Sequence, residues 1–374
     1  MPDVHAILSA SAAKRWSECT PSARLNMTAE ERASPYALEG TDAHSLCQYL
    51  VEKEYGIPTK DPTENLTYYN QEMQECAEIY LSAVKELVAK AKTHYPDPKV
   101  LVEQRVKFDR WVPQGFGTSD ALILADGTLY VIDYKHGAGI LVEAEDNIQM
   151  KCYALGALSM FGDIYDVDSI SMTIVQPRKE NISTWTISVE DLLSWAEDFL
   201  KPRAELAYAG EGEFVAGSHC QFCRVKATCR KRAEANLELA RHDFALPETL
   251  DDAEISVVLS KCDDLVSWVN DVKEYALEQA LSGKKYEGFK VVEGRSTRKY
   301  TDDDKVAEAV TLAGFDPYEK KLLGITAMTK LLGAKNFEQI LGELICKPQG
   351  KPTLVDVNDK RPEFNSAAND FNDN

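Results

Sequence analysis

Apolar residues along the chain follow a helical period in some segments and a strand period in others. Over residues 67–94 they recur at every third or fourth position, which predicts one long amphipathic helix. Short runs rich in β-branched and aliphatic residues, as strands are, follow at 100–108, 115–124 and 128–135. The turn signal Asp126-Gly127 separates the last two, so we predict an antiparallel meander.

Further elements of both kinds follow this meander. A helix is predicted near 147–160, a strand at 169–178, and a strand followed by a helix from residue 183 onward. Upstream, a second helix is predicted to begin after Gly40-Thr41. Helices and strands in this order predict an α/β core.

A second segment begins near Pro247. A helical period extends over 252–281 and ends at Gly283, a residue suited to the C-terminal cap. Residues 286–294 and 295–300 are predicted to form a β-hairpin, so this module is predicted to be mostly helical with one hairpin. We therefore predict a first domain over 1–245, an accessory module over 246–364 and a disordered tail over 365–374.

Composition and charge narrow the class of protein. A net charge of −19 argues against a protein that coats nucleic acid through its overall charge, although a local basic groove is compatible with it. No apolar run approaches the roughly 20 residues that span a bilayer, and no convincing export signal is present, so we expect a cytoplasmic protein without membrane contact. Its nine cysteines are then expected to be reduced thiols or metal ligands.

The densest chemical signal lies in the predicted meander. Asp120 is on one strand, while Asp133 and Lys135 are two positions apart on the next, so the latter two share a face. Inward-facing carboxylates need a compensating charge, which Mg²⁺ can supply, and a neighbouring lysine can hold water or offset phosphorane charge. The alternative is the polar outer face of a half-solvated hairpin.

These residues resemble the PD-(D/E)xK nuclease superfamily, in which an Asp, a later Asp or Glu and a Lys hold the metal and water. Gly40-Thr41-x-x-His44 resembles the GxxxH motif of the RecB-like branch, and Gln149-x-x-x-Tyr153 resembles its QxxxY motif. Glu103 is a weaker match to a further acidic position. The resemblance implies a restriction-endonuclease-like core, a central mixed sheet flanked by helices. It also implies metal binding by His44, Asp120, Asp133 and Glu103, and catalytic or substrate-contacting roles for Lys135, Gln149 and Tyr153.

Taken singly, each of these matches has a simpler explanation. His44 is then an ordinary histidine on a helix surface, and Glu103 a solvated strand residue. Gln149 and Tyr153 are then a polar pair one helical turn apart.

A cluster of cysteines follows the predicted core. Cys220, Cys223 and Cys229 are spaced C-x2-C-x5-C, and soft thiolates favour Zn²⁺ or iron-sulfur clusters over hard cations. The spacing resembles RecB-like nucleases of the AddB and CRISPR-adaptation type, where three such cysteines and one near the N-terminus hold a 4Fe-4S cluster. That resemblance implies Cys19 as the fourth ligand. A zinc site with the same ligands is the alternative, and the other five cysteines are expected to be packed free thiols.

The basic residues that could meet DNA are concentrated in two sets. One is interleaved with the cysteines, and the other surrounds the predicted C-terminal hairpin, although either could be a solvated face. The first set is Arg224, Lys226, Arg230, Lys231 and Arg232. The second set is Lys284, Lys285, Lys290, Arg295, Arg298 and Lys299.

The resemblance implies Mg²⁺- or Mn²⁺-dependent hydrolysis of DNA phosphodiester bonds, most simply from DNA ends. The whole chain also resembles a phage or prophage family of nuclease-like proteins, which implies DNA recombination beside a single-strand annealing protein, and a homo-oligomer is compatible with that role. Two other functions stay open: a non-catalytic DNA-binding or scaffold protein that keeps the fold, and a zinc-stabilised adaptor.

Overall fold

The computed structural model describes residues 6–29, 35–240, 252–293, 301–318 and 322–345. Four helices precede the sheet: α1 (Ala13–Glu18), α2 (Ser22–Thr28), α3 (Pro35–Glu54) and α4 (Gln71–Lys92). The strands and the helix between them are β1 (Lys99–Lys107), β2 (Phe116–Leu124), β3 (Gly127–Tyr134), α5 (Ile148–Phe161), β4 (Val167–Gln176) and β5 (Asn181–Ser188). The remaining helices are α6 (Val189–Trp195), α7 (Lys201–Ala209), α8 (Arg230–Ala240), α9 (Asp252–Leu281), α10 (Asp303–Leu312), α11 (Ile325–Leu332) and α12 (Ala334–Leu341).

The strands form one mixed sheet in the order β1-β2-β3-β4-β5. The first three are antiparallel to one another, as predicted, and β5 is antiparallel to β4. Strands β3 and β4 are parallel, with α5 as the crossover that parallel pairing requires. The predicted α/β core is therefore confirmed as a mixed five-stranded sheet flanked by helices.

Helices cover both faces of this sheet. On one face, α5 and α6 pack against inward side chains such as Leu122 and Val131. On the other face, α3 and α4 pack against alternate residues such as Ile123 and Ile132. Burial on both faces explains why the central strands are continuous apolar runs rather than alternating ones.

Helix α3 begins earlier than the sequence predicted. It starts at Pro35, and Gly40 and Thr41 lie inside it rather than before it. Proline suits the first helical turn because its missing N–H has no partner there in any helix. The Thr41 hydroxyl bonds to the Ala37 carbonyl oxygen at 3.0 Å, one turn earlier in the same helix, so this residue does not cap a new helix.

The chain forms two compact units, Met1–Gln279 and Ala280–Asn374. The predicted helix over 252–281 is confirmed as α9. The first half of the predicted hairpin is wrong over its described residues 286–293, which contain no strand. Gly288 has a φ of +79° and the Phe289 N–H bonds to the Tyr286 oxygen, so a turn interrupts this run. The other half and the predicted tail lie outside the described residues, and the predicted boundary at 245 stays a prediction.

Candidate active site

Three acidic residues lie in a row across three neighbouring strands. The register pairs the residues on either side of Glu103 with those on either side of Asp120, so these two acids face each other on β1 and β2. Asp133 lies on β3 one position beyond the Ala121–Ile132 pair, where the β2–β3 ladder ends, and is therefore the neighbour of Asp120. The meander thus brings together three acids that are distant in sequence.

The strands depart from regular geometry at this row. Glu103 has a φ of +47°, in the left-handed region that costs a non-glycine residue about 1 kcal/mol or more. Asp120 Oδ2 accepts the backbone N–H of Tyr134 at 2.7 Å, so the carboxylate takes the place of a strand carbonyl where the ladder ends. Strained backbone and an interrupted ladder are features that cluster at functional sites.

Helix α3 adds His44 to the acidic row. His44 Nδ1 lies 3.3 Å from Asp120 Oδ1, and the His44 ring meets the edge of the Tyr134 ring at a centroid distance of 5.5 Å. Ligand atoms of His44, Glu103 and Asp120 all lie within 4.8 Å of one another. No other set of three or more His, Cys, Asp or Glu side chains is this compact in the part of the chain that the structure describes.

Asp133, Lys135, Gln149 and Tyr153 form a connected polar network beside these ligands. Lys135 Nζ lies 2.9 Å from Asp133 Oδ2 and donates to Gln149 Oε1 at 3.0 Å. Gln149 Nε2 lies 3.2 Å from Asp133 Oδ1 and 3.1 Å from the Tyr153 hydroxyl. Gln149 and Tyr153 are one turn apart on α5, so their side chains lie on the same face of the helix and can both take part in this network. The structure therefore brings all seven predicted active-site residues together.

Burial disfavours the charged forms of two of the three acids in the row. Burial and the charge of Asp120 raise the pKa of Glu103 to about 7. Burial also raises the pKa of Asp133, which is only 2% exposed, against the opposing effect of Lys135. A divalent cation would stabilise both carboxylates in their charged form.

The basic groups of the site respond in the opposite direction. Burial alone would lower the pKa of His44, but the charges of Asp120 and Asp133 outweigh it and raise the pKa to about 9. For Lys135, the carboxylate of Asp133 likewise outweighs burial and raises the pKa, so the ammonium stays charged. A charged lysine is therefore fixed beside the ligand row.

An ion-pair network that the sequence analysis missed anchors α3 near this site. Arg178, just after β4, donates to Glu39 Oε1 at 2.7 Å and contacts Glu72 of α4 at 3.0 Å. The buried His136 lies 3.4 Å from Glu39 and bonds to the Tyr134 hydroxyl at 2.8 Å. These charges are far apart in sequence, and only the position of His136 directly after Asp133-x-Lys135 could have suggested that residue.

The four predicted cluster cysteines come together at a second site. Cys19, Cys220, Cys223 and Cys229 line one cavity, between the end of α1 and the segment before α8. No three of their sulfurs lie within 4.8 Å of one another. A zinc tetrahedron needs sulfurs about 3.8 Å apart, given its Zn–S bonds of about 2.3 Å. The sulfurs are therefore more widely spaced than the ligands of a single zinc ion.

Residues around these cysteines were not predicted from the sequence. Asn26 Nδ2 lies 3.2 Å from Cys223 Sγ, and Asn26 Oδ1 accepts the Arg224 N–H at 2.8 Å. The buried His219 bonds to Glu18 Oε2 at 2.6 Å. The contacts of His219 with Cys19 and Cys220 outweigh burial and raise the pKa of His219 to about 10. Proximity to cysteines in sequence was the only available signal for Glu18 and His219.

The predicted DNA-contacting set needs one correction. Arg232 is 5% exposed, its guanidinium pairs with Asp271 of α9, and it also donates to the Lys226 carbonyl oxygen. Lys226 Nζ pairs with the same Asp271 at 2.7 Å. Arg232 therefore holds α8 to α9 and is wrong as a DNA contact, whereas Arg224, Arg230 and Lys231 are exposed.

Replacing Asp271 by Asn is expected to destabilise the cysteine segment. It leaves the buried Arg232 without its counter-charge, which typically costs about 3–5 kcal/mol. Chemical denaturation of the full chain measures the loss. The exposed Asp264→Asn on the same helix is the control and should change stability by less than about 0.5 kcal/mol. Equal stability of the two variants would show that the Asp271 pair does not hold the helices together.

No helix among the described residues is long and apolar enough to cross a membrane.

Comparison with known proteins gives a family, and the solved structures with some likeness to this chain include SSO0001. The solved protein SSO0001 is 14% identical, covers 59% of this chain and 96% of its own, and has a TM-score of 0.25, which is too low to support an argument about fold. The family model described as "Protein of unknown function (DUF2800)" matches residues 5–362. Because the match spans most of the sequence, this chain belongs to the DUF2800 family.

Proposed function

We propose that this protein is a metal-dependent DNA nuclease that hydrolyses phosphodiester bonds, acting from DNA ends, and that its mixed sheet is a PD-(D/E)xK core. The observation that carries the proposal is the compact set of His44, Glu103 and Asp120 beside a lysine that Asp133 keeps charged. Oxygen and nitrogen ligands in this arrangement suit Mg²⁺ or Mn²⁺.

The residues fit such a metal and the chemistry around it. His44, Glu103, Asp120 and Asp133 would hold the ion, which supplies Lewis-acid polarisation of a phosphoryl oxygen and a more acidic bound water. Lys135 has three N–H donors, and contacts with Asp133 and Gln149 engage two of them. The third is available to orient a water molecule or a phosphate oxygen. Gln149 in turn is fixed by the Tyr153 hydroxyl, so the lysine has little freedom to turn away.

We also propose that the four cysteines hold a 4Fe-4S cluster. The spacing of the four sulfurs favours it over a single zinc ion. Burial raises the pKa of Cys19 and of Cys220, but contacts with His219 and backbone hydrogen bonds together outweigh it and leave both pKa values lowered, which favours thiolate ligands. The cluster would join α1 to the segment after α7 and close the core.

DNA is the proposed substrate because its phosphodiester bonds suit the proposed metal site and its phosphates can bind exposed basic residues. The exposed Arg224, Arg230 and Lys231 would meet its phosphates despite the net charge of −19. A role in phage recombination beside an annealing protein, and assembly of several copies, remain expectations from the resemblance.

The test is digestion of end-labelled linear DNA and covalently closed DNA, single and double stranded, with Mg²⁺ or Mn²⁺. We expect metal-dependent cleavage of linear DNA that EDTA abolishes, and little cleavage of closed circles. Cleavage of closed circles at the same rate would replace end-dependent action with endonuclease action. DNA binding without any cleavage would favour a non-catalytic scaffold, and failure to bind DNA would favour the zinc-stabilised adaptor.

A further inference from the structure

Arg15 is a buried cation with no carboxylate beside it in the described residues. Arg15 lines the cysteine cavity and is 9% exposed as a residue. Nη1 donates to the Ser22 carbonyl oxygen at 2.9 Å and to the Ser22 hydroxyl at 3.0 Å. Burial lowers the pKa of Arg15, and the charges acting on it come from Cys223, Arg224 and Cys19. A buried charge of this kind is costly unless an opposite charge lies nearby.

The other cations that line the cavity are already paired. Lys226 and Arg232 both contact the carboxylate of Asp271, which lies on α9, and His219 Nδ1 lies 2.6 Å from the carboxylate of Glu18. Their charges are therefore offset without the cysteines. Arg15 has two neutral acceptors on Ser22, and the negative groups that act on it are Cys223 and Cys19 of the cavity.

We propose that Arg15 is the counter-ion of the cysteine site and that its charge raises the reduction potential of the cluster held there. The inference rests on the proposed iron-sulfur assignment. Reduction adds an electron to a group that is already negative, and a fixed cation in a low-dielectric cavity stabilises the more negative form. Arg15 is a positioning and charge-setting residue, since sulfur atoms rather than its guanidinium would bind the metal.

The experiment compares anaerobically purified full-length wild type with Arg15→Gln, Arg15→Lys and Ser22→Asp. Ser22→Asp keeps the guanidinium but places a carboxylate where the hydroxyl now accepts from Arg15, so it neutralises the same charge in place. Arg24→Gln is the matched control. Arg24 is on the adjacent α2, where it donates to the Tyr208 oxygen at 2.7 Å, and it does not line the cavity.

Iron content and the midpoint potential of the visible absorption are measured for each protein. We expect Arg15→Gln and Ser22→Asp to retain iron but to shift the oxidised-to-reduced ratio at a fixed potential about tenfold toward the oxidised form. For a one-electron couple this is about 59 mV to lower potential. Arg15→Lys keeps the positive charge and should have a potential close to that of wild type, and Arg24→Gln should match wild type.

The possible results distinguish the role of Arg15 from the proposed 4Fe-4S cluster on which it depends. Should Arg15→Gln fail to fold, Ser22→Asp still measures the effect of the same charge. Wild-type potentials in the iron-containing Arg15→Gln or Ser22→Asp would overturn the role of Arg15 and leave the cluster in place. Wild-type protein that contains zinc, or no metal, would overturn the iron-sulfur assignment and this inference with it.

Discussion

Asp133→Asn is expected to lower DNA cleavage more than about a hundredfold, beyond the loss typical of residues that only support metal ligands. Asp133 is almost fully buried and contacts both Lys135 and Gln149. An amide would present N–H groups to donors, so the network loses its acceptor while the side chain keeps its volume. Cleavage of end-labelled DNA and Mn²⁺ affinity by titration measure the two effects.

Two variants control for this result. Asp168→Asn changes an exposed aspartate on the same sheet and should cleave like wild type. Lys135→Ala should be inactive yet still bind Mn²⁺, because the carboxylates remain. Wild-type cleavage by Asp133→Asn, in a preparation free of host nuclease, would remove Asp133 from the site.

Cys223→Ser is expected to lose bound iron and much of the protein's thermal stability. Wild type should contain about four iron and four sulfide per chain, as a 4Fe-4S cluster requires. A cross-link between Cys19 and the later cysteines closes a loop of about 200 residues, worth about 5 kcal/mol on chain-entropy arguments. Its loss should lower the melting temperature by about 10 °C or more.

The control for Cys223→Ser is Cys262→Ser, a half-buried cysteine on α9 that does not line the cavity. It should retain wild-type iron content and melting temperature. Zinc at one equivalent without iron would assign the same ligands to a zinc site, and a wild type without either metal would refute both assignments.

Much of the core could be predicted because its elements carry their own periodic signal. The strands of the meander, the crossover helix and α9 follow local hydrophobic patterns, and the short Asp126-Gly127 connection fixes how β2 and β3 pair. The predicted start of α3 and the predicted strand at 286–293 were wrong because each prediction rested on a single local cue. Gly40 lies inside a helix that packing against the rest of the core stabilises. The positive φ of Gly288 places a turn within a run of strand-forming residues.

The candidate site divides in the same way. Residues with a motif, such as His44 and Gln149, could be named in advance, and the structure brings them together. The left-handed backbone at Glu103, the burial of Arg15 and the Arg232–Asp271 pair could not be predicted, because each depends on what lies nearby in space. A basic residue beside a cysteine motif has the same sequence signature whether it faces solvent or a buried carboxylate.

The separation of the cysteines also sets an order of events during synthesis. Cys19 is made about 200 residues before Cys220, an interval of about 10–40 s at roughly 5–20 residues per second. All five strands of the sheet lie between them. The sheet can therefore form on the ribosome before the other three cysteines have been synthesised. A chain that ends between the sheet and Cys229 contains the acidic row but not all four sulfurs. Acquisition of metal by the cysteines would then report that the first 229 residues have been completed.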